Sequence, residues 1–229
     1  MNYPSKTAIL VFANSAKTEL LHKPILKGEV LFDRLTQETL QKVKAAGLPY
    51  FHISDKEQEG DSFGERFTKA IQTVFANGFE NIITIGNDTP QLKTAHLLKA
   101  NAALEEGKTV LGPSLDGGFY LMGIQKSNFN QETFKRLPWQ RFNLFNKIAT
   151  LLNVTDSLLY KLPILSDIDT ITDVKRLASY RKSISSAILK LLTILLQLGK
   201  EIETLFLSIF LIIFLQLPYN KGSPALLHS

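Results

Sequence analysis

The 229-residue chain predicts an α/β layer structure, and three observations point there. Short apolar runs rich in β-formers alternate with amphipathic helical segments. The connections between them are brief. The run at 7–13 (TAILVFA) is apolar without alternation, as a strand covered on both faces of a parallel sheet requires. At 45% hydrophobic and 21% charged, the composition suits one domain of ordinary size, with a small appendage.

In order, 7–13 is the first strand. Residues 29–46 form a helix through Leu31, Leu35, Leu40 and Val43, and Gly47 stops it. A short strand at 49–53 and a polar loop at 54–62 follow. The stretch 63–77 is a helix with Phe67, Ala70, Ile71 and Val74 on one face. Then comes the apolar strand 82–85, which ends on Gly86-Asn87-Asp88-Thr89-Pro90. A helix at 94–105, closed by Gly107, precedes strands at 109–111 and 119–124 on either side of Asp116-Gly117-Gly118. A further strand at 160–163 and a closing helix at 171–181 complete a domain over 1–182. No internal repeat is visible.

From 183 to 229 the composition turns to Leu, Ile and Phe, a hydrophobic helical tail. Its longest stretch, 205–215 with only Ser208 inside, falls short of the roughly 20 residues a spanning helix needs. A longer span would bury Lys190, Lys200, Glu201 and Glu203 at roughly 3 kcal/mol each. The tail therefore reads as packing on the domain, as homo-oligomer contact, or as membrane-surface association through 183–217.

Several classes drop out. Without cysteine there are no disulfides, thiolate metal sites or cysteine nucleophiles, so any metal must use oxygen or His ligands. Net charge is +5, yet Lys and Arg are scattered among acids, without the basic, aromatic-interleaved stripe of a nucleic-acid groove. The polar N-terminus lacks the apolar core of a secretory signal, which predicts a cytoplasmic protein, with or without membrane contact through the tail. His22, His52 and His96 show no mutual spacing for a metal or a triad.

Three acidic segments are candidates for chemistry. Asp88 ends a buried strand, where α/β sheets bind ligands, and equally suits a turn or helix cap. Asp116-Gly117-Gly118 allows close approach of backbone to a ligand and is also an ordinary hairpin signal. Asp167 and Asp169 flank Ile168 on one side of an extended segment, while Thr170 or Asp173 could cap the next helix.

Together with Gly60-Asp61-Ser62-Phe63-Gly64-Glu65-Arg66, Leu111-Gly112-Pro113 and Pro138-Trp139, these segments resemble the GT-A-fold family often labelled glycosyltransferase A, which includes the arsenosugar-biosynthesis type and is similar to molybdopterin nucleotidyltransferases. The resemblance covers roughly residues 7–182. It implies a GT-A-like, mixed and mostly parallel sheet flanked by helices. It further implies a transferase that uses a nucleotide-diphosphate-activated sugar donor and an acceptor that the sequence does not specify. Asp88 and Asp169 would hold Mg2+ or Mn2+, and Asp116 would be the catalytic residue, with Gly117 and Gly118 beside it lining the sugar or acceptor side. Lys17, Arg66 and Trp139 would contact the donor. The alternatives are a nucleotidyltransferase acting on a nucleoside triphosphate and a non-catalytic binder of the same fold.

The chain departs from this family after the first strand. Members carry a loop of the type Pro-x-x-Gly-x-x-Lys-Thr-Arg-Leu; here 12–20 reads FANSAKTEL. Lys17 and Thr18 remain, the Pro and Gly are absent, and Glu19 stands where the family has Arg, which reverses the local charge. Lys23, Lys27 and Arg34 are the nearby bases that could compensate.

Overall fold

The computed structural model describes residues 5–139, 141, 144–153, 158–180 and 183–216. Its frame is a mixed six-stranded sheet in the order β2-β1-β3-β5-β4-β6. β1 (Thr7–Phe12) and β3 (Asn81–Ile85) pair in parallel, every residue of both buried. β2 (Tyr50–Ile53) adds in parallel to β1 as an exposed edge. β5 (Phe119–Gln125) runs antiparallel to both β3 and β4 (Thr109–Pro113), and β6 (Leu159–Lys161) closes the other edge parallel to β4.

Because side chains alternate along a strand, β1 feeds both faces of the sheet. Ala8, Leu10 and Phe12 pack with Phe67 and Ile71 of α3 (Phe63–Ala76) and with Phe79. Ile9 and Val11 face the other way, toward Leu97 and Ala100 of α4 (Thr94–Glu105). Each Leu, Ile, Val or Phe among these contributes roughly 1.5–3 kcal/mol on burial. α3 starts where Ser62 accepts from the Glu65 N–H and Glu65 returns the bond to the Ser62 N–H, a capping box that sets its first turn.

Three helices were not legible in the pattern. α1 (Ala16–His22) follows directly after β1. α5 (Gln131–Lys135) and α6 (Leu144–Asn153) lie between β5 and β6. The closing helix is α7 (Ile171–Ala178), shorter than the expected 171–181, with residue 181 outside the described ones.

The apolar tail begins inside a third core. Ile184, Ile188, Leu192 and Leu195, around the start of α8 (Ser186–Gln216), are buried with Phe32 and Leu35 of α2 (Glu29–Ala45) and with Val174 and Leu177 of α7. Ser185 donates to Glu38 at 2.7 Å, and Gln91 donates to Ser183 at 3.1 Å. Farther along α8, Leu205, Phe206, Leu207 and Leu211 are exposed. No described helix is long and apolar enough to cross a membrane. The part of the tail after 216 lies outside the described residues.

His96, at the start of α4, accepts the Lys93 N–H at 3.2 Å and lies beside the Tyr120 ring. Burial first, then Lys93, Lys99 and Lys42, push its pKa below the ordinary value of 6.5. The folded chain thus binds the His96 proton less readily than the unfolded chain, and the stability that His96 contributes is full above pH 6.5 and is lost as pH drops from there through the lowered pKa. Urea titrations between pH 7.5 and 5 check this: the stability difference between wild type and His96→Gln should shift against the wild type as pH falls, and a difference that does not change with pH rejects the assignment.

Candidate active site

The carboxyl ends of β1 and β3 open into a cleft of about 980 Å³, the position where open α/β sheets take their ligands. Asp88, Asp116, Asp167 and Asp169 all line it. The chain brings them together through backbone bonds: the Ile168 N–H donates to the Asp88 carbonyl at 3.0 Å, pinning the segment before α7 across the end of β3. Ile168 points into the core, fully buried, so Asp167 and Asp169 turn to the cleft, as expected of acids flanking one apolar residue.

Asp167 sits deepest. The hydroxyls of Thr89 and Ser114 both donate to it. Burial above all, with the neighbouring Asp88 charge, pushes its carboxyl up to about 7 against those two bonds. Sequence reading took Asp167 with Asp169 as an acid pair suited to a cation but carried only Asp169 forward as a ligand; the buried hydroxyls that hold Asp167 come from residues 78 and 53 positions away, beyond any local signal.

Asp88 and Asp169 meet an unforeseen partner. The Lys23 ammonium lies 2.5 Å from Asp88 Oδ2, 3.0 Å from Asp169 Oδ1 and 3.0 Å from Glu19 Oε2. It is one residue past α1, 5.6 Å over the Phe32 ring, with its side chain only 13% exposed. Burial by itself would lower the Lys23 pKa, but Asp88, Glu19 and Asp169 outweigh it and hold the ammonium firmly charged. Burial raises the Asp169 carboxyl, opposed by Lys23 and reinforced by Asp88.

Of the three compensating bases considered from sequence, then, Lys23 enters the cleft. Arg34 pairs with Glu38 at 2.9 Å, and Lys27 is exposed. The readable signal was the i,i+4 spacing of Glu19 and Lys23.

The loop after β1 is satisfied from within the chain. Asp55 accepts the Ser15 N–H at 2.6 Å and the Ser15 and Thr18 hydroxyls at 3.1 and 2.8 Å, while Asn14 donates to Glu19 at 2.9 Å. Slight burial works against it, but these donors hold the Asp55 carboxyl below its ordinary value. Lys17 points outward from α1, exposed and away from the residues that line the cleft.

The opposite wall comes from the β4–β5 connection and from residues after α5. Ser114 donates its N–H to Gly118 at 3.1 Å and Gly117 donates to Ser114 at 3.2 Å, a hairpin turn in which Gly117 takes φ 88°. The turn places Asp116 and Gly118 on the cleft, with Gly117 at its back. Asp116 accepts the Gly118 N–H at 2.9 Å. Trp139 donates Nε1 to the Phe134 carbonyl at 2.7 Å and packs on Phe63 and Phe67, so one ring serves both core and wall. Arg66 also lines the cleft, its guanidinium 3.5 and 3.4 Å from the Gly60 and Asp61 carbonyls and not bonded to Glu65, which is engaged in its cap.

A divalent cation fits this chemistry. Glu19, Asp88 and Asp169 direct hard carboxylate oxygens at one point, and with Lys23 they sum to two net negative charges. Among the described residues no group of three or more His, Cys, Asp or Glu side chains is disposed to hold a metal as the chain stands; an ammonium holds that point.

The mixed six-stranded sheet flanked by helices is a fold shared with a solved structure described as a nucleotide-diphospho-sugar transferase. A crystal structure from Desulfovibrio desulfuricans G20, provisionally described as such a transferase, matches with a TM-score of 0.73 and 23% identity, over 84% of this chain and 97% of that one. The chain belongs to the bacterial family described as "Uncharacterized protein conserved in bacteria (DUF2064)", whose model matches residues 19–141. Rv0371c from Mycobacterium tuberculosis H37Rv in complex with manganese matches at TM-score 0.42 and 15% identity, over 76% of this chain and 98% of that one. A cytidylyltransferase from Leptospira borgpetersenii serovar Hardjo-bovis matches at 0.44 and 15%, over 87% and 95%. No curated protein matches.

Proposed function

We propose that the protein transfers a glycosyl group from a nucleotide-diphosphate-activated sugar to an acceptor, with Mg2+ or Mn2+ held at Asp88 and Asp169. The supporting observation is electrostatic. Seven acidic side chains and three permanently basic ones, Lys23, Arg66 and Arg141, line the cleft, so a diphosphate enters against net negative charge unless a divalent cation accompanies it. When bound, the cation neutralises the leaving diphosphate. Asp116 sits on the sugar and acceptor side, within electrostatic reach of Asp167 and Asp169, where a carboxylate can orient or deprotonate an acceptor hydroxyl. Trp139 offers an aromatic wall for a base or sugar, and Gly118 allows close approach.

The test is calorimetric titration of the full chain with UDP, GDP and CDP, with and without manganese. At least one should bind in a metal-dependent way that Asp88→Ala abolishes, and no binding to any of the three with manganese present overturns the proposal. Release of pyrophosphate from a nucleoside triphosphate and a sugar phosphate would move it to nucleotidyl transfer. The internally satisfied loop at 14–18 favours a second reading, a binder that no longer turns over; binding with no transfer to water or any acceptor would select it.

A further inference from the structure

We infer that Lys23 is the resident counter-ion of the cation position: in the free chain its ammonium closes the Asp88–Asp169 pair to divalent metal, and an incoming diphosphate draws it away, so that metal and nucleotide bind together. The nucleotide half of this inference rests on the proposed donor; the closure stands on geometry alone.

Three carboxylate oxygens from three parts of the chain converge on Lys23 Nζ within 3.0 Å: Glu19 on α1, Asp88 after β3 and Asp169 before α7. The ammonium donates to Asp88, and Glu19 and Asp169 flank it as ion-pair partners, so all three carboxylates share one cation. A metal taking the same oxygens would lie about 2.0–2.6 Å from them, inside the space the ammonium fills. The two cannot share it, because a divalent ion and an ammonium a few ångströms apart in a poorly solvated pocket repel strongly.

The ammonium nevertheless leaves the cluster undersupplied. One positive charge against three carboxylates keeps two negative charges, the complement of one divalent ion. Lys23 lines the cleft at the end of a flexible four-carbon stem, so it can turn toward a phosphate. Exchange then satisfies every group: the carboxylates keep a cation and the ammonium gains a phosphate. The same position restores the basic charge that Glu19 takes from the loop, one helical turn later.

The test follows Mn2+ binding to the full chain by the loss of the free-ion paramagnetic resonance signal, with and without UDP, GDP or CDP. Wild-type protein alone should bind manganese at least tenfold more weakly than Lys23→Met, and adding Asp88→Asn to that variant should abolish binding. In the wild type, whichever nucleotide binds should strengthen manganese binding at least tenfold; in Lys23→Met that enhancement should disappear. Equal manganese affinity for wild type and Lys23→Met without nucleotide overturns the inference, even if nucleotides bind and the donor proposal stands. The converse separates the two claims: tighter manganese binding by Lys23→Met with no nucleotide bound by either chain sinks the donor proposal and sustains the closure. Should Lys23→Met fail to fold, the wild type decides through its own manganese affinity, since tight binding without nucleotide overturns the closure and weak binding strengthened by nucleotide supports the exchange.

Discussion

Lys23→Ala, measured in urea with chelator present, is expected to lose about 3–5 kcal/mol of folding free energy, the range for removing one partner of a buried ion pair. Alanine leaves Glu19, Asp88 and Asp169 facing one another with no cation between them. The Glu19 side chain is 8% exposed and Asp88 26%, so water can reach the first hardly at all and the second only in part. Intact, the cluster is not a large net source of stability, because drying its four charges offsets much of their attraction; broken, the cost appears in full. For a chain of this size the loss corresponds to a fall in Tm of roughly 6–20 °C. Lys27→Ala is the control: Lys27 is exposed, and the change should stay within about 0.5 kcal/mol. A Lys23→Ala effect as small as that of Lys27→Ala would mean the ammonium is held loosely and that the carboxylates reach water by another route.

The same cluster shows where sequence reading reaches and where it stops. Asp88, Asp116 and Asp169 could be picked out singly, because each has a local signature: a strand end, a paired-glycine turn, an acid pair around one apolar residue. All three line one cleft, since the strand order brings the ends of β3, the β4–β5 turn and the start of α7 to the same edge. β1 and β3 were legible because burial on both faces demands continuous apolar runs. Lys23 was picked out only as one of three nearby bases, its i,i+4 spacing to Glu19 going unused. Its place depends on α1 ending at His22, which was not foreseen, and on how far α1 stands from β3, which no local pattern encodes. Asp55 is the same case: a loop acid among several, distinguished only by the Ser15 and Thr18 groups that fold onto it from 40 and 37 residues away. At 183 the composition changes, and the first apolar turns of the tail share a core with α2 and α7, so a shift in composition does not mark the end of a packed unit.

Gly112→Ala is the second large effect and concerns how the acid-bearing segment is held. Gly112 lies in β4, where glycine ordinarily weakens a strand, so its presence calls for a packing reason. A Cβ there would stand 2.5 Å from Tyr120 Cζ and 2.9 Å from both Cε atoms, closer than carbon atoms approach. The Tyr120 ring therefore lies directly on the Gly112 backbone, and its hydroxyl donates to the Pro163 carbonyl at 3.0 Å. That bond, with the Leu162 and Leu165 N–H groups donating to Leu111 and Pro113, ties 162–165 to β4, and the chain runs on from there to Asp167 and Asp169. An added methyl must push the ring off, break the tie to Pro163, or part β4 from β5; overpacking of this kind costs about 3 kcal/mol. The clash predicts non-additivity. Tyr120→Leu by itself should be destabilising through the lost ring and hydroxyl, yet with the ring gone Gly112→Ala should become at least about 1 kcal/mol less costly, within the coupling expected of residues in contact. If the two losses simply add in urea unfolding, the steric account of Gly112 is wrong. If they couple, the small residue before the hairpin is there to seat Tyr120, and through Tyr120 to fix the strand edge from which the cleft acids project.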